Sequence, residues 1–230
     1  MDFRESRRKS ETKMSFLKGW LGEKKAILSM WLSLDQQIYN RFHNTIIPAS
    51  NGTTQIDHIL VSQYGIFIVE TKNKSGWIFG SEDRAQWTQV LYGKKYPFQN
   101  PLRQTYRQKK VLSKFLSVDE SHVYTVIYFV GNSKFKTEMP SNVISSGLGG
   151  FIKQYRDRVL TEGDVKRIVN KLEQHNSESI LTTNDHVRSL RERHNSSTVC
   201  PNCGASLKLK TAKKGPSAGA KFLGCETYPR

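Results

Sequence analysis

Three charged residues lie within two apolar, strand-like segments in the first third of the chain. Asp57 is in the first segment, and Glu70 and Lys72 are in the second. Because side chains alternate along a strand, Glu70 and Lys72 share one face. If an even number of residues links the segments, Asp57 lies across from Glu70, with Cβ atoms about 4.5–5.5 Å apart. An odd loop would turn Asp57 to the other face unless a bulge restored it, so the sequence leaves the register open.

Two carboxylates at that distance would repel by roughly 3 kcal/mol at an effective dielectric constant of about 20. Lys72 would offset part of this repulsion, and a divalent cation would offset the rest. Oxygen ligands beside a lysine suit Mg²⁺ or Mn²⁺, which combine carboxylates with water and substrate phosphate. The ion would polarise a phosphoryl group, and Lys72 would hold the attacking water or stabilise the developing charge. The alternative is a half-exposed hairpin whose charges are simply solvated.

Hydrophobic periodicity and capping signals predict the elements that carry these residues. Asn100 followed by Pro101 is a strong helix start, since the asparagine caps the helix and proline suits the first helical position. Residues 132–150 are rich in Ser, Gly and Asn, which predicts a loop. The other predicted helices cover 17–34, 162–175 and 184–193, and the predicted strands cover 38–47, 55–62, 65–72, 77–79 and 123–130.

The chain carries a net charge of +16, which favours a polyanionic partner such as nucleic acid. Basic residues are concentrated in two blocks, one at 94–114 and one from 188 to the end. The alternative is that this charge serves solubility alone. The basic residues predicted to contact nucleic acid are Arg103, Arg107, Lys109, Lys110, Lys208, Lys210, Lys213 and Lys214.

Five motifs in order resemble the nuclease-related domain (NERD) family of the restriction-endonuclease-like superfamily. They are TQIDH at 54–58, GIFIVETKN at 65–73, GWIFG at 76–80, WTQ at 87–89 and NPLRQ at 100–104. The resemblance covers roughly residues 16–135. It implies an α/β fold with a mixed β-sheet flanked by helices, and a metal-dependent nuclease activity.

The resemblance also implies roles for individual residues. Asp57 and Glu70 match the family's ligands for Mg²⁺ or Mn²⁺, and Lys72 matches its catalytic lysine. Glu23 matches the acid of a helical Gly-Glu pair and would be a third acid at the metal, unless it is an ordinary surface residue. Gln104 matches a helical glutamine that faces the substrate.

The segment 200–230 resembles the four-cysteine zinc finger found at the C-terminus of bacterial type I topoisomerases. Its zinc ligands would be Cys200, Cys203 and Cys225, in a site that normally has four ligands. The family pattern would supply the fourth cysteine just beyond the printed sequence. Three options follow: the chain continues, His194 or water completes the site, or zinc binds weakly. The alternative is three unconnected thiols in a degraded tail.

These predictions together suggest a nuclease that hydrolyses DNA phosphodiester bonds. The basic helix and the finger would bind the DNA, with Phe222 stacking on a base if the substrate is single-stranded. One alternative is a nucleic-acid-binding protein with a nuclease-like fold that does not cut, and another is an interaction scaffold. The predicted parts are a basic tail at 1–14, the NERD domain at 15–135, a loop and helical extension at 136–193, a linker at 194–199 and a zinc-ribbon-like module at 200–230.

The sequence also favours a cytoplasmic protein that does not enter a membrane. No apolar run approaches the roughly 18 residues of a membrane-spanning helix. The three cysteines do not form a disulfide framework, which is typical of a reducing compartment.

Overall fold

The structure is a computed structural model, and it describes residues 33–200 and 205–226. The strands are β1 (Asn40–Ala49), β2 (Gly52–Ser62), β3 (Gly65–Lys72), β4 (Gly76–Phe79), β5 (Gln86–Leu91), β6 (Lys94–Gln99), β7 (Val123–Phe129), β8 (Ser133–Phe135), β9 (Val143–Ile144), β10 (Leu207–Thr211) and β11 (Lys221–Cys225). The helices are α1 (Pro101–Leu116), α2 (Leu148–Ile152), α3 (Glu162–Glu178) and α4 (Thr183–Asn195). In this part of the chain, no helix has the length and apolar character that crossing a membrane requires. The predicted helix at 17–34 lies outside the described residues except for its last two.

A five-stranded mixed sheet forms the centre of the fold, in the order β1-β2-β3-β7-β9. Strands β1, β2 and β3 are antiparallel, whereas β7 is parallel to β3 and β9 is parallel to β7. The connection from β3 to β7 contains α1 and most of a second sheet, in the order β6-β5-β4-β8. Strands β10 and β11 form a separate hairpin. The predicted mixed α/β architecture with flanking helices is therefore confirmed.

Both faces of the central sheet are covered. One face packs Ile59 and Ile68 against Leu112 of α1 and Ile168 of α3, and all four side chains are fully buried. The other face packs against α2 and the residues that precede β1. Full burial of each such side chain contributes about 1.5–3 kcal/mol. Strands β2 and β3 are thus held rigidly from both sides, which suits a site that needs fixed geometry.

The loop between β2 and β3 contains two residues, Gln63 and Tyr64, because Ser62 pairs with Gly65. Gly65 has a φ of +122°, and a Cβ there would lie 2.6 Å from a ring carbon of Tyr124. The loop is therefore even. The sequence leaves two registers open, and the structure has the even one. Continued by one pair beyond His58, this register sets Asp57 across from Glu70.

Helix α1 begins as predicted, with Asn100 as its cap and Pro101 in the first turn. The Asn100 side chain accepts a hydrogen bond from the Leu102 amide at 2.9 Å. Its amide nitrogen also lies 2.7–3.1 Å from the carbonyl oxygens of Ser81, Glu82 and Arg84. Asn100 is fully buried, so this one side chain joins the start of α1 to the loop between β4 and β5.

Residues 132–150 were predicted as loop, and this prediction is wrong in part. They contain β8, β9 and the start of α2. Strands of three and two residues are too short to show the alternation by which a strand is recognised. The sequence also gave no prediction for β5 and β6. Strand β6 lies at the edge of its sheet, where Pro97 and exposed lysines are tolerated, so its composition is not strand-like.

A pair of histidines connects β1 and β2. The Nδ1 atoms of His43 and His58 lie 2.8 Å apart, so one ring donates a hydrogen bond and the other accepts it. Burial, together with the charge of His43, lowers the pKa of His58 to about 3. His58 is therefore a neutral, packed residue near neutral pH.

Candidate active site

Glu70 lies near the end of β3 and is only 3% exposed. Its Oε1 accepts hydrogen bonds from Lys72 Nζ at 2.6 Å and from Gln104 Nε2 at 2.7 Å. Its Oε2 accepts a hydrogen bond from Gln108 Nε2 at 2.7 Å. Lys72 also donates to Gln104 Oε1 at 2.9 Å. These contacts fix the carboxylate and the lysine relative to each other, so the pair is positioned before any ligand binds.

Helix α1 supplies both glutamines, which lie four residues apart and therefore on one face of the helix. Gln108 donates a second hydrogen bond to the backbone carbonyl of Gln55 at 3.1 Å, which ties α1 to β2. Gln104 was predicted on the substrate side, but Gln108 was not predicted at all. Its spacing from Gln104 was the signal that would have identified it.

Asp57 lies where the pairing between β2 and β3 ends, since the last pair is His58 opposite Val69. Its Oδ2 accepts hydrogen bonds from the amide and the Oγ1 of Thr71, both at 2.9 Å. The carboxylate thus accepts a hydrogen bond from a backbone N–H that would donate to a carbonyl of β2 if the two strands remained paired. Asp57 and Glu70 therefore lie together at the point where the two strands separate.

The electrostatic environment of Glu70 disfavours its charged form. Burial raises the pKa of Glu70, and the negative charge of Asp57 raises it further. Lys72 and the hydrogen bond from Gln108 act in the opposite direction without cancelling the effect of burial. An added cation near both carboxylates would stabilise the charged form.

The chemistry of these donors fits Mg²⁺ or Mn²⁺. Within residues 33–200 and 205–226, no three His, Cys, Asp or Glu side chains are grouped closely enough to bind a metal ion. The site in this part of the chain offers the carboxylates of Asp57 and Glu70, and Mg²⁺ needs only one or two, with water and phosphate as its other ligands. Glu23, predicted as a third acid, lies outside the described residues.

The basic block predicted to contact nucleic acid does not form one exposed face. Arg107 is 6% exposed, and it donates to Thr54 Oγ1 at 3.0 Å and to Asn51 Oδ1 at 2.7 Å. Lys110 forms an ion pair with Glu120 at 2.7 Å. Arg103 is half-buried and lies on α1 with Gln104. Some of this charge is therefore directed into the protein.

The described part of the C-terminal segment is the β10–β11 hairpin and the residues next to it. Cys200 is buried, and Cys225 at the end of β11 is half-buried. Lys210 donates to the Cys225 carbonyl at 2.7 Å, and Phe222 is 48% exposed. Cys203 lies outside the described residues, so the full set of predicted zinc ligands is not described.

Residues 18–130 match the family model of the nuclease-related domain, NERD. An uncharacterized protein of Bacillus anthracis is 33% identical over 182 residues, which is 77% of this chain and 82% of that relative. The chain belongs to the nuclease-related domain family. No solved structure matches it.

The NERD match includes Asp57, Glu70, Lys72 and Gln104, and it ends after β7. The resemblance stated from the sequence motifs is confirmed for this domain. The topoisomerase-type zinc finger lies beyond the matched residues, and it stays a prediction. Helices α3 and α4 also lie beyond them, although α3 packs on the central sheet and α4 contacts β2.

Proposed function

We propose that this NERD protein is a divalent-metal-dependent nuclease that hydrolyses DNA phosphodiester bonds. The observation that carries the proposal is the buried Glu70 carboxylate, which is held 2.6 Å from Lys72 and whose pKa is raised by burial and by the negative charge of Asp57. A buried carboxylate beside a second, half-buried one is costly for the fold, and a cation together with an anionic substrate would offset that cost. A protein that only binds nucleic acid has no use for carboxylates that repel phosphate.

In the proposed reaction, water attacks phosphorus, one P–O bond of the strand breaks, and the leaving oxygen takes up a proton. Asp57 and Glu70 would hold Mg²⁺ or Mn²⁺, which would supply Lewis-acid polarisation of the phosphoryl group. Lys72, whose side chain is 19% exposed, would orient the attacking water or stabilise charge on the phosphoryl oxygens. Gln104 and Gln108 position Glu70, and Gln104 also positions Lys72.

The test is incubation of the purified full chain with plasmid and with single-stranded DNA, in the presence of Mg²⁺, Mn²⁺ or EDTA. We expect cleavage with either metal and none with EDTA. DNA binding without cleavage under every metal condition would contradict the nuclease and support the alternative, a binding protein with a nuclease-like fold. If DNA binding is also absent at low salt, the scaffold alternative gains support instead, because a basic nucleic-acid surface gives strongly salt-dependent binding.

We also propose that the C-terminal segment binds zinc through Cys200, Cys203 and Cys225. Thiolates are the preferred ligands of structural zinc, and the segment's many lysines would contact phosphate. The measurement is the zinc content of the protein purified without chelator. We expect about one zinc per chain, lost when all three cysteines are replaced by serine, whereas a content near zero would exclude the structural zinc.

A further inference from the structure

Helix α4, which the NERD match does not include, is fixed against β2, the strand that carries Asp57. The amide of Thr53 donates to Ser189 Oγ at 2.8 Å, and the Thr53 carbonyl accepts a hydrogen bond from Arg193 at 3.1 Å. Gly52 has a φ of +110°, and a Cβ there would overlap Ser189 Oγ. This close contact requires glycine and places α4 beside the candidate active site.

A cavity of about 140 Å³ lies where α1 and α4 meet; we term it the arginine cavity. Its lining includes Arg103 and Arg107 from α1, Arg193 and His186 from α4, and the two glutamines that hold Glu70, Gln104 and Gln108. No acidic side chain is among the described lining residues. At about 30 Å³ per water molecule, the volume equals about five waters. That is a suitable size for a small anion rather than for a base with its sugar.

Arg193 is buried in a way that calls for an anion. It is 6% exposed, and burial of a charge is costly unless it is paired. Among the described residues, Nε of Arg193 has no hydrogen-bond partner. Burial also lowers the pKa of the Arg193 guanidinium, which is the sign of a cation without sufficient compensation. A phosphate group would supply both the missing charge and the missing acceptor, since guanidinium and phosphate pair through two parallel hydrogen bonds.

We propose that the arginine cavity binds a phosphate group of the nucleic-acid strand, next to the bond that Asp57, Glu70 and Lys72 cut. This inference rests on the proposed nuclease function. Gln104 and Gln108 face both the cavity and Glu70, so a phosphate bound in the cavity lies one side chain away from the carboxylate. Helix α4 thereby completes a substrate subsite on the NERD domain.

The test measures binding in EDTA, where no cleavage can occur. The full chain is titrated against short fluorescent single-stranded oligonucleotides that carry a 5′-phosphate, a 3′-phosphate or no terminal phosphate, at several salt concentrations. For Arg193→Gln we expect about tenfold weaker binding, and a slope of log affinity against log salt that is smaller in magnitude by about 0.7. If the loss is the same for all three oligonucleotides, the cavity holds a backbone phosphate. If it is confined to one phosphorylated end, the cavity holds that terminal phosphate.

The matched control is Arg188→Gln, which removes an arginine from the exposed side of the same helix. Its side chain is 71% exposed and paired with Asp185, so the affinity should stay within about twofold of wild type. Because Arg193→Gln removes the hydrogen bond to Thr53, its folding is checked by circular dichroism. Arg103→Gln, at a half-buried lining residue, is the second variant and should weaken binding in the same direction.

A second readout uses inorganic phosphate alone. Burial and the nearby Arg193 and Arg107 lower the pKa of His186, so an anion in the cavity should raise the pKa that NMR measures for this ring. We expect this rise in the wild type and a smaller one in Arg103→Gln.

Unchanged affinity and salt slope in folded Arg193→Gln and in Arg103→Gln would overturn the proposal, as would a wild type that does not bind the oligonucleotides. These measurements contain no metal, so they test the subsite separately from cleavage. If binding changes as expected but the protein does not cut DNA, only the nuclease proposal is refuted. If the protein cuts DNA but binding does not change as expected, only the subsite proposal is refuted.

Discussion

Glu70→Gln is expected to reduce metal-dependent DNA cleavage by about a hundredfold to a thousandfold. Glutamine keeps the shape of the side chain and one oxygen for Lys72 and Gln104, but it loses the negative charge that would bind a divalent cation. The measurement is the initial rate of plasmid cleavage in Mn²⁺, with Mn²⁺ affinity determined by calorimetry. Both should fall together, because the same carboxylate would hold the ion.

Lys72→Met is the companion variant, and it separates ion binding from chemistry. It leaves Asp57 and Glu70 intact, so Mn²⁺ should still bind while cleavage falls by a similar factor. Glu120→Gln is the matched control, since Glu120 is 42% exposed and forms an ion pair with Lys110. Wild-type cleavage rates in Glu70→Gln would show that any nuclease activity arises elsewhere in the molecule.

Asn100→Ala is expected to lower the free energy of unfolding by about 3 kcal/mol. Loss of a helix cap costs about 1 kcal/mol, and each further hydrogen bond that the buried Asn100 amide makes contributes about 0.5–1.5 kcal/mol. Asn100 serves both purposes, because it caps α1 and its amide lies within hydrogen-bond distance of three carbonyls. The measurement is urea denaturation, supported by a melting temperature lowered by about 6–12 °C.

The control for this prediction is Asn170→Ala, an exposed position within α3. Alanine favours a helix more than asparagine does, so this change should be neutral or slightly stabilising. Cleavage by Asn100→Ala should also decline at temperatures where the protein is still folded, since α1 carries Gln104 and Gln108. A loss of stability below about 0.5 kcal/mol would mean that water satisfies the three carbonyls.

Local signals in the sequence were sufficient for much of the site. The alternation in β3 placed Glu70 and Lys72 on one face, and the Asn100-Pro101 pair gave the start of α1 because caps depend only on neighbouring residues. The register of the hairpin could not be predicted from local signals. Its loop is compatible with even and odd pairing, and Gly65 is fixed by contact with Tyr124 on β7, a strand that is distant in the sequence.

Features that depend on tertiary contacts were missed for the same reason. Periodicity predicted the helix that became α4, but nothing local showed that Arg193 turns inward to meet β2. Arg107 was predicted at a nucleic-acid surface because it belongs to a basic block. A count of charged residues does not show where each side chain points, and in the fold this arginine is buried against Thr54 and Asn51.

The hydrogen bonds between Asp57 and Thr71 link the proposed ion site to the pairing of the two strands. The carboxylate that would bind the ion also accepts a hydrogen bond from the Thr71 N–H, at the point where strand pairing stops. An ion that draws Asp57 toward itself therefore competes with the closing contact of β2 and β3. By thermodynamic linkage, occupancy of the site and opening of the strand end must affect each other equally. If the proposed ion displaces this contact, the end of the hairpin would respond to whether the site is filled.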